Sequence, residues 1–189
     1  MTCPEASKSV CFPASATVEL EDGSHKTMAA VQIGDRVLAT TGEYSPVYMF
    51  SHRLDAAKAA FVTLEAGSGV NLQLTPDHYV YVNGALAAAS TVAVGDALTL
   101  RDGSAATVTK VHTTWAQGLY NPHTMHGDIV VNGVQTSTYT TGIAPALAHA
   151  ALWPVRALYA AGVSVADTTT FAAGSQLLAD ILPNGKAQY

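Results

Sequence analysis

Cys11 is the first residue of this sequence whose type and position could support covalent chemistry: it follows a ten-residue segment and precedes a predicted first strand. A cysteine thiolate is a strong nucleophile, and a neighbouring base raises the reactive fraction. A thiol at this point could attack the carbonyl of the preceding residue, Val10. Considered alone, a cysteine is more often a buried structural thiol, so other residues must support the hypothesis.

A hydroxyl and an imidazole, those of Thr75 and His78, form the second candidate group. They flank Pro76, which restricts the backbone and favours a turn that places both side chains on one side. Conversion of a peptide bond into a thioester needs a weakened amide and a proton donor for the departing nitrogen, and these side chains could supply both. Because an isolated Thr-x-x-His pattern is more often a structural turn, the hypothesis depends on its combination with Cys11.

The elements that would position these residues are β-strands. Between Ala16 and about Tyr139 the sequence is rich in Val, Thr and Tyr, and turn dipeptides such as Asn83-Gly84 and Asn132-Gly133 interrupt it at short intervals. Alternating runs bounded by such turns are typical of strands, and clear examples occupy residues 17–20, 78–82 and 128–131. The sequence therefore predicts an all-β body.

A weak internal repeat refines this prediction. The run VQIGDRVL at residues 31–38 recurs as VAVGDAL at residues 92–98, and the strand and turn upstream of each copy also correspond. Two related β subdomains, each too small to bury its own apolar face, are expected to pack as a pseudo-two-fold pair. The alternative is a chance similarity between turn signals.

The last part of the chain has a different pattern. After Tyr139 the sequence is rich in Ala and Leu, with apolar residues at helical spacing, and Pro154 should divide this region into two short helices. Residues 143–161 are the nearest approach to a membrane span. They include two prolines, His149 and Arg156, which are costly or disruptive in hydrocarbon, so we expect no span.

Composition and the remaining histidines exclude other classes of function. With 12% charged residues and a net charge of -5, the chain offers no basic surface for nucleic acid. His112, His123 and His126 have no cysteine nearby and lie among prolines and glycines, so we expect neither a metal site nor a cofactor.

A monomer is expected. Residues 1–10 lack the apolar core of a signal peptide, so secretion cannot be read from them.

Taken together, the motifs resemble the Hint (Hedgehog/intein) self-processing family, and within it the C-terminal autoprocessing domain of Hedgehog proteins. The resemblance spans residues 11–156 and implies a pseudo-symmetric, nearly all-β disk. Five segments match in order, namely residues 11–13 (CFP), 33–38 (IGDRVL), 74–78 (LTPDH), 118–127 (GLYNPHTMHG) and 129–134 (IVVNGV).

The resemblance also implies a function and an organisation. Residues 1–10 would be the remnant of an upstream segment, residues 11–141 the autoprocessing domain, and residues 142–189 a helical tail that either recognises the acyl acceptor or braces the disk. Cys11 would form a thioester at the Val10–Cys11 bond with help from Thr75 and His78, and an outside nucleophile would release the upstream segment. That nucleophile is cholesterol in animal Hedgehog proteins. The full-length protein would enter the secretory pathway.

This sequence departs from the animal pattern at His52, which stands where those proteins carry an aspartate that activates the sterol hydroxyl. A neutral imidazole can act as a base near pH 7, so the acceptor could be a sterol, another lipid, a small thiol or water. His52 could equally be a surface strand residue. His126 is a possible auxiliary residue, because a histidine often precedes the corresponding glycine in Hedgehog proteins.

Two other functions remain as alternatives. Intein-type splicing needs a terminal His-Asn followed by Cys, Ser or Thr, whereas Asn132 follows a valine and precedes Gly133. A catalytically decayed Hint-fold domain that serves as a structural or binding module is the second alternative, because fold and function are separable. The presence of Cys11, Thr75 and His78 together favours activity.

Overall fold

The computed structural model describes residues 11–141 and 144–163, and within them the chain is dominated by strands. The strands are β1 (Thr17–Glu19), β2 (His25–Thr27), β3 (Arg36–Thr40), β4 (Glu43–Ala66), β5 (Val70–Leu74), β6 (His78–Val82), β7 (Ala85–Ala88), β8 (Ala97–Thr99), β9 (Ala105–Thr124), β10 (Asp128–Val131) and β11 (Val134–Thr140). The predicted all-β body is confirmed, and β6 and β10 begin and end where the alternation does.

Two long strands, β4 and β9, connect the two halves of the molecule. They pair antiparallel from Val47 opposite Thr124 to Ala66 opposite Val108, and β-bulges interrupt the register where the pair bends. The main sheet runs in the order β10-β11-β6-β8-β9-β4-β3, with β5 on β4 and β7 on β6, while β1 and β2 form a separate hairpin. The ends of β4 and β9 therefore contribute side chains to the same region.

The internal repeat is visible in the backbone. Gly34 and Gly95 both have positive φ, 96° and 97° respectively, and the carboxylate after each accepts a hydrogen bond from a backbone N–H three residues upstream, at 2.8 Å in both copies. Each copy also follows a short 3₁₀ helix, at Met28–Ala30 and Ala89–Thr91. The predicted pair of related β subdomains is confirmed.

One hydrophobic core joins the two subdomains. Residues from the start, middle and end of the body are completely buried in it, including Phe12, Met28, Leu64, Leu72 and Ile129. Because this core draws on both copies of the repeat, neither subdomain buries its apolar face alone.

The described part of the tail forms two helices, α1 (Pro145–Ala151) and α2 (Trp153–Ala160), as predicted, and residues 164–189 of the predicted tail lie outside the described residues. They meet at Leu152, and Pro154 lies in the first turn of α2, where its missing N–H costs no hydrogen bond. Leu152 is buried against Tyr48, Met49 and Tyr139 of the disk. Neither helix in the described part of the chain is long and apolar enough to cross a membrane.

Candidate active site

Cys11 and Thr75 are held together by two hydrogen bonds, although 64 residues separate them in sequence. The backbone N–H of Cys11 donates to Thr75 Oγ1 at 2.8 Å, and the N–H of Thr75 donates to the Cys11 carbonyl at 3.0 Å. The Cys11 nitrogen is the nitrogen of the expected cleavage site, whose other residue, Val10, lies outside the described residues. The Thr75 hydroxyl therefore touches the atom that would leave.

The segment that carries Cys11 is fixed against β9. Phe12 and Tyr120 exchange backbone hydrogen bonds of 2.8 and 3.0 Å, and the N–H of Ala14 donates to the Gln117 carbonyl at 2.9 Å. Gly118, at φ +87°, permits this approach, because a Cβ there would lie 2.7 Å from the Ala14 Cβ. A larger residue at position 118 would push the segment, and Cys11 with it, away from the sheet.

His78 is fully buried at the start of β6, and its ring lies 4.2 Å from the ring of Phe12, centroid to centroid. Its Nε2 is 2.8 Å from the Ser137 carbonyl oxygen, which can only accept, so Nε2 carries the ring hydrogen. Nδ1 therefore has a free lone pair and no partner among the described residues. Burial lowers the pKa of His78 to about 4, although the bond to Ser137 opposes this shift, so the ring is neutral near pH 7.

The environment of the Cys11 thiol is apolar. Cys11 is completely buried against Phe61 and Leu119, and this desolvation raises its pKa far above the ordinary cysteine value. The side chain is thus a neutral thiol near pH 7. Attack by its sulfur requires a base that takes the proton as the new bond forms.

His52 lies on β4 opposite Asn121, next to a β-bulge between Phe50 and His52. Its Nδ1 is buried without a hydrogen-bond partner in the described part of the chain, and burial lowers its pKa. The side-chain nitrogen of Asn121 is 3.4 Å from His123 Nε2, so the imidazoles of His52 and His123 lie in one region.

A polar group formed by Ser51, Asn121 and His123 was missed as a unit by sequence analysis. Ser51 Oγ lies 3.0 Å from His123 Nε2 and accepts a 2.9 Å hydrogen bond from the Asn121 side-chain amide. His123 is buried, and its pKa falls to about 3, chiefly by desolvation. The sequence did contain a signal for this group. Leu119, Asn121 and His123 occupy every second position of β9 and so share one face of the strand, and Leu119 on that face packs against Cys11.

His126 occupies a different environment, in the loop between β9 and β10. Its Nδ1 lies 3.5 Å from an Asp128 oxygen, its Nε2 lies 3.8 Å from a Glu43 oxygen, and its backbone N–H donates to Ser45. None of these contacts involves Cys11 or Thr75. Among the described residues, no three His, Cys, Asp or Glu side chains form a group that could hold a metal ion.

Known proteins are similar to this chain over most of its length. A family model described as the Hint module matches residues 2–182. Indian hedgehog B protein of Danio rerio is 34% identical over 172 residues, which cover 79% of this chain and 42% of the relative. Warthog protein 6 of Caenorhabditis elegans is 34% identical over 144 residues, which cover 69% of this chain and 24% of the relative. The chain spans less than half the length of these relatives.

Solved structures give the same fold at lower identity. The gp41-1 intein has a TM-score of 0.60 at 15% identity, and the match covers 68% of this chain and 98% of the intein. A bacterial intein-like domain from Clostridium thermocellum has a TM-score of 0.58 at 22% identity, covering 69% of this chain and 99% of that domain. The chain therefore belongs to the Hint family of Hedgehog and intein self-processing domains, and it is close to the Hedgehog autoprocessing domain.

Proposed function

We propose that this domain cleaves its own chain at the Val10–Cys11 bond through an N-to-S acyl shift, and then transfers the upstream segment to an external nucleophile. The observation that carries the proposal is the 2.8 Å hydrogen bond from the Cys11 nitrogen to Thr75 Oγ1. It places a hydroxyl on the atom that must leave, which a decayed domain would have no need to retain.

The first step exchanges an amide for a thioester within the chain. As the Cys11 sulfur attacks the Val10 carbonyl carbon, its proton passes to His78 Nδ1. The carbon–nitrogen bond then breaks, and the nitrogen takes the proton from His78 to become the free amine of Cys11. Thr75 Oγ1 accepts the N–H of this nitrogen at the outset and can donate its own hydrogen to the lone pair that develops.

The electrostatics of the site suit this cycle. A buried neutral thiol cannot ionise by itself, so it needs a base whose lone pair is free, and Nδ1 of neutral His78 is such a base. Once protonated, an imidazole whose pKa is about 4 is a strong acid and returns its proton readily. One residue thereby serves first as base and then as acid.

In the second step an outside nucleophile attacks the thioester carbonyl, the carbon–sulfur bond breaks, and the Cys11 thiol is restored. The upstream segment is the chain's own substrate, and the acceptor is a sterol or another lipid, a small thiol or water. His52 is the proposed base for this acceptor. We assign the tail of residues 142–189 to the acceptor side of the domain and the full-length protein to the secretory pathway, by analogy with the Hedgehog relatives.

The direct test is a precursor with a folded protein fused ahead of Val10. We expect cleavage after Val10, faster with dithiothreitol, because small thiols intercept thioesters readily and amides hardly at all. Mass spectrometry should find the upstream product as the dithiothreitol thioester or the free acid, and the downstream product with Cys11 at its N-terminus. An uncleaved precursor, or one cut at another bond, contradicts the proposal.

A second prediction separates the two steps through His52. His52→Ala should leave cleavage by dithiothreitol unchanged, while cleavage driven by sterol-containing lipid vesicles falls about 100-fold, the loss typical of a general base. Because burial lowers the pKa of His52, its base form accumulates below the ordinary histidine range. The vesicle-driven rate of the unchanged chain should therefore rise with pH, and the midpoint of this rise should lie below the ordinary histidine pKa of about 6.5.

The matched control for this prediction is His25→Ala, which removes a histidine whose side chain is 58% exposed on β2. It should alter neither reaction. Equal losses in both reactions for His52→Ala would assign His52 to the first step or to the structure, and the base for the acceptor would have to be sought at another residue.

A further inference from the structure

Besides Nδ1 of His52 and of His78, four more buried polar atoms in this part of the molecule lack hydrogen-bond partners within the described residues. They are Tyr48 Oη, Asn121 Oδ1, His123 Nδ1 and Arg156 Nη1. Buried polar groups in folded proteins are nearly always paired, so such a concentration indicates a missing partner, either water or a ligand. Three of the four residues, together with Tyr139, define what we call the junction cluster: Tyr48, His123, Tyr139 and Arg156.

The residues of the junction cluster lie together at the boundary between the disk and the tail. The ring centroid of His123 lies 6.3 Å from that of Tyr48 and 5.8 Å from that of Tyr139. Leu152, Arg156 and Tyr159 follow one another at helical spacing, and Leu152 is buried against both tyrosines while the ring centroid of Tyr159 lies 6.3 Å from that of Tyr48. Arg156 is therefore on the helix face that meets the two tyrosines, and its positive charge opposes the rise in their pKa that burial causes. A side chain of the tail thus faces side chains of the disk that adjoin the catalytic residues.

The hydrogen bonds of His123 determine which of its nitrogens is a donor. Ser51 Oγ already accepts the Asn121 amide N–H, so its own hydrogen is free to go to His123 Nε2, 3.0 Å away. The Asn121 nitrogen, itself a donor, also lies 3.4 Å from Nε2. With donors on both sides, Nε2 accepts, and in a neutral imidazole the hydrogen is then on Nδ1. His123 therefore presents an unpartnered N–H.

The unsatisfied atoms of the junction cluster are thus donors: the Tyr48 hydroxyl, the His123 Nδ1–H and an Arg156 N–H. Within the part of the chain that the structure describes, no carboxylate lies within salt-bridge distance of Arg156. A half-buried guanidinium whose Nη1 is buried, with two neutral donors beside it, matches a ligand with several acceptor oxygens and a negative charge. A neutral hydroxyl would leave most of these donors unpaired and the charge uncompensated.

We propose that the junction cluster binds a carboxylate or similar anionic group on the acyl acceptor of the second step. This inference rests on the proposed self-cleavage and adds the chemical class of the acceptor. His52 lies opposite Asn121, whose side-chain nitrogen is 3.4 Å from His123 Nε2, and His78 lies opposite Thr140, the residue after Tyr139. The cluster therefore adjoins both histidines, and an acceptor anchored there by its anionic end directs its other end toward the thioester.

The test uses pairs of thiols as acceptors, each pair differing only in its terminal group. The quantity compared is the rate at which each thiol cleaves the precursor, corrected for the rate at which the same thiol reacts with a small-molecule thioester. The carboxylate thiols are mercaptopropionate, mercaptohexanoate and mercaptoundecanoate, and each is paired with the thiol alcohol of the same chain length. In at least one pair, the carboxylate thiol should have a KM about tenfold lower than that of the thiol alcohol, which is the gain expected from charge-assisted hydrogen bonds. The kcat values of the two should be similar.

Two variants locate this preference. Arg156→Gln and Tyr48→Phe should lose the advantage of the carboxylate, so that the KM of each carboxylate thiol rises to that of its alcohol. Lys110→Gln, which removes an exposed charge paired with Glu65, should retain this advantage. Equal KM values within every pair, or a preference unchanged in both cluster variants, would overturn the anion site.

A measurement on the unchanged chain keeps the test independent of how the variants fold. Hexanoate, which has no thiol, should slow cleavage by mercaptohexanol competitively, whereas hexanol should not; inhibition by both or by neither counts against the site. The outcomes also separate the two proposals. Cleavage by the thiol alcohols without any carboxylate preference leaves the proposed function standing and removes only the anion site, while a precursor that no thiol cleaves removes the proposed function.

Discussion

A precursor with Cys11→Ala should remain whole at the Val10–Cys11 bond, with or without dithiothreitol. The substitution removes the sulfur that forms the thioester and leaves the backbone hydrogen bonds to Thr75 in place. Without the thioester, the added thiol meets only an amide, which it does not cleave at a useful rate. Gel analysis of the intact precursor, with mass spectrometry of any fragments, measures this outcome.

The matched control is Cys3→Ala, which removes the other cysteine of the chain. It should cleave at the parent rate, and this result shows that the loss belongs to one thiol and not to thiols in general. Because alanine fills most of the volume of a cysteine, Cys11→Ala should keep the parent melting temperature to within a few degrees. Cleavage that persists at this bond in Cys11→Ala would overturn the mechanism.

Much of the fold could be predicted because local signals agreed with one another. The dipeptides Asn83-Gly84 and Asn132-Gly133 form tight hairpin turns in which the asparagines have φ values of 52° and 49°, a conformation that asparagine tolerates better than most residues. The repeated Gly-Asp pairs, at Gly34 and Gly95, predicted the relation between the two subdomains. In each case the side chain itself determines the turn, so a short stretch of sequence is enough.

The path of β4 could not be predicted in this way. This strand runs through residues 56–60 (AAKAA), whose composition favours helix over strand, and pairing with β9 overrides that preference. Its register also shifts at bulges, including the one beside His52. Both features depend on a partner strand that is distant in sequence, and a local pattern carries no information about it.

The residues of the candidate site also divide into those that local sequence predicts and those that depend on contacts between distant strands. Cys11, Thr75 and His78 were predicted because their types suit the chemistry, and Cys11 and Thr75 lie in direct contact. Ser51 and Asn121 were not found, because a serine or asparagine on a strand is unremarkable until its neighbours are known. His123 was considered only as a weak metal ligand, and its bond to Ser51 gives it a different environment. A polar group of this kind is defined by contact between strands, which sequence spacing does not specify.

Replacement of His78 should have the second-largest effect on cleavage. His78→Ala removes the Nδ1 lone pair that accepts the thiol proton and the acid that returns it to nitrogen, so thiol-induced cleavage should slow by about two orders of magnitude or more. Thr75→Ala should have a smaller effect, because the hydroxyl assists at the leaving nitrogen without taking the proton. Rates of thioester trapping by dithiothreitol, compared at one pH, measure both losses.

The comparison must separate lost chemistry from lost structure, because His78 is completely buried and alanine leaves a cavity beside Phe12. His78→Gln is the second variant: its amide can still donate to the Ser137 carbonyl and fills most of the space, but it has no basic nitrogen. We expect His78→Gln to melt closer to the parent than His78→Ala does, and yet to cleave as slowly. Since the pKa of His78 is about 4, this residue stays neutral in the unchanged chain from pH 6 to pH 8. The two variants have no imidazole at this position, so neither should recover at the higher pH. If a folded His78→Gln chain cleaves at the parent rate, the proton must travel by another route and His78 serves only to hold the turn.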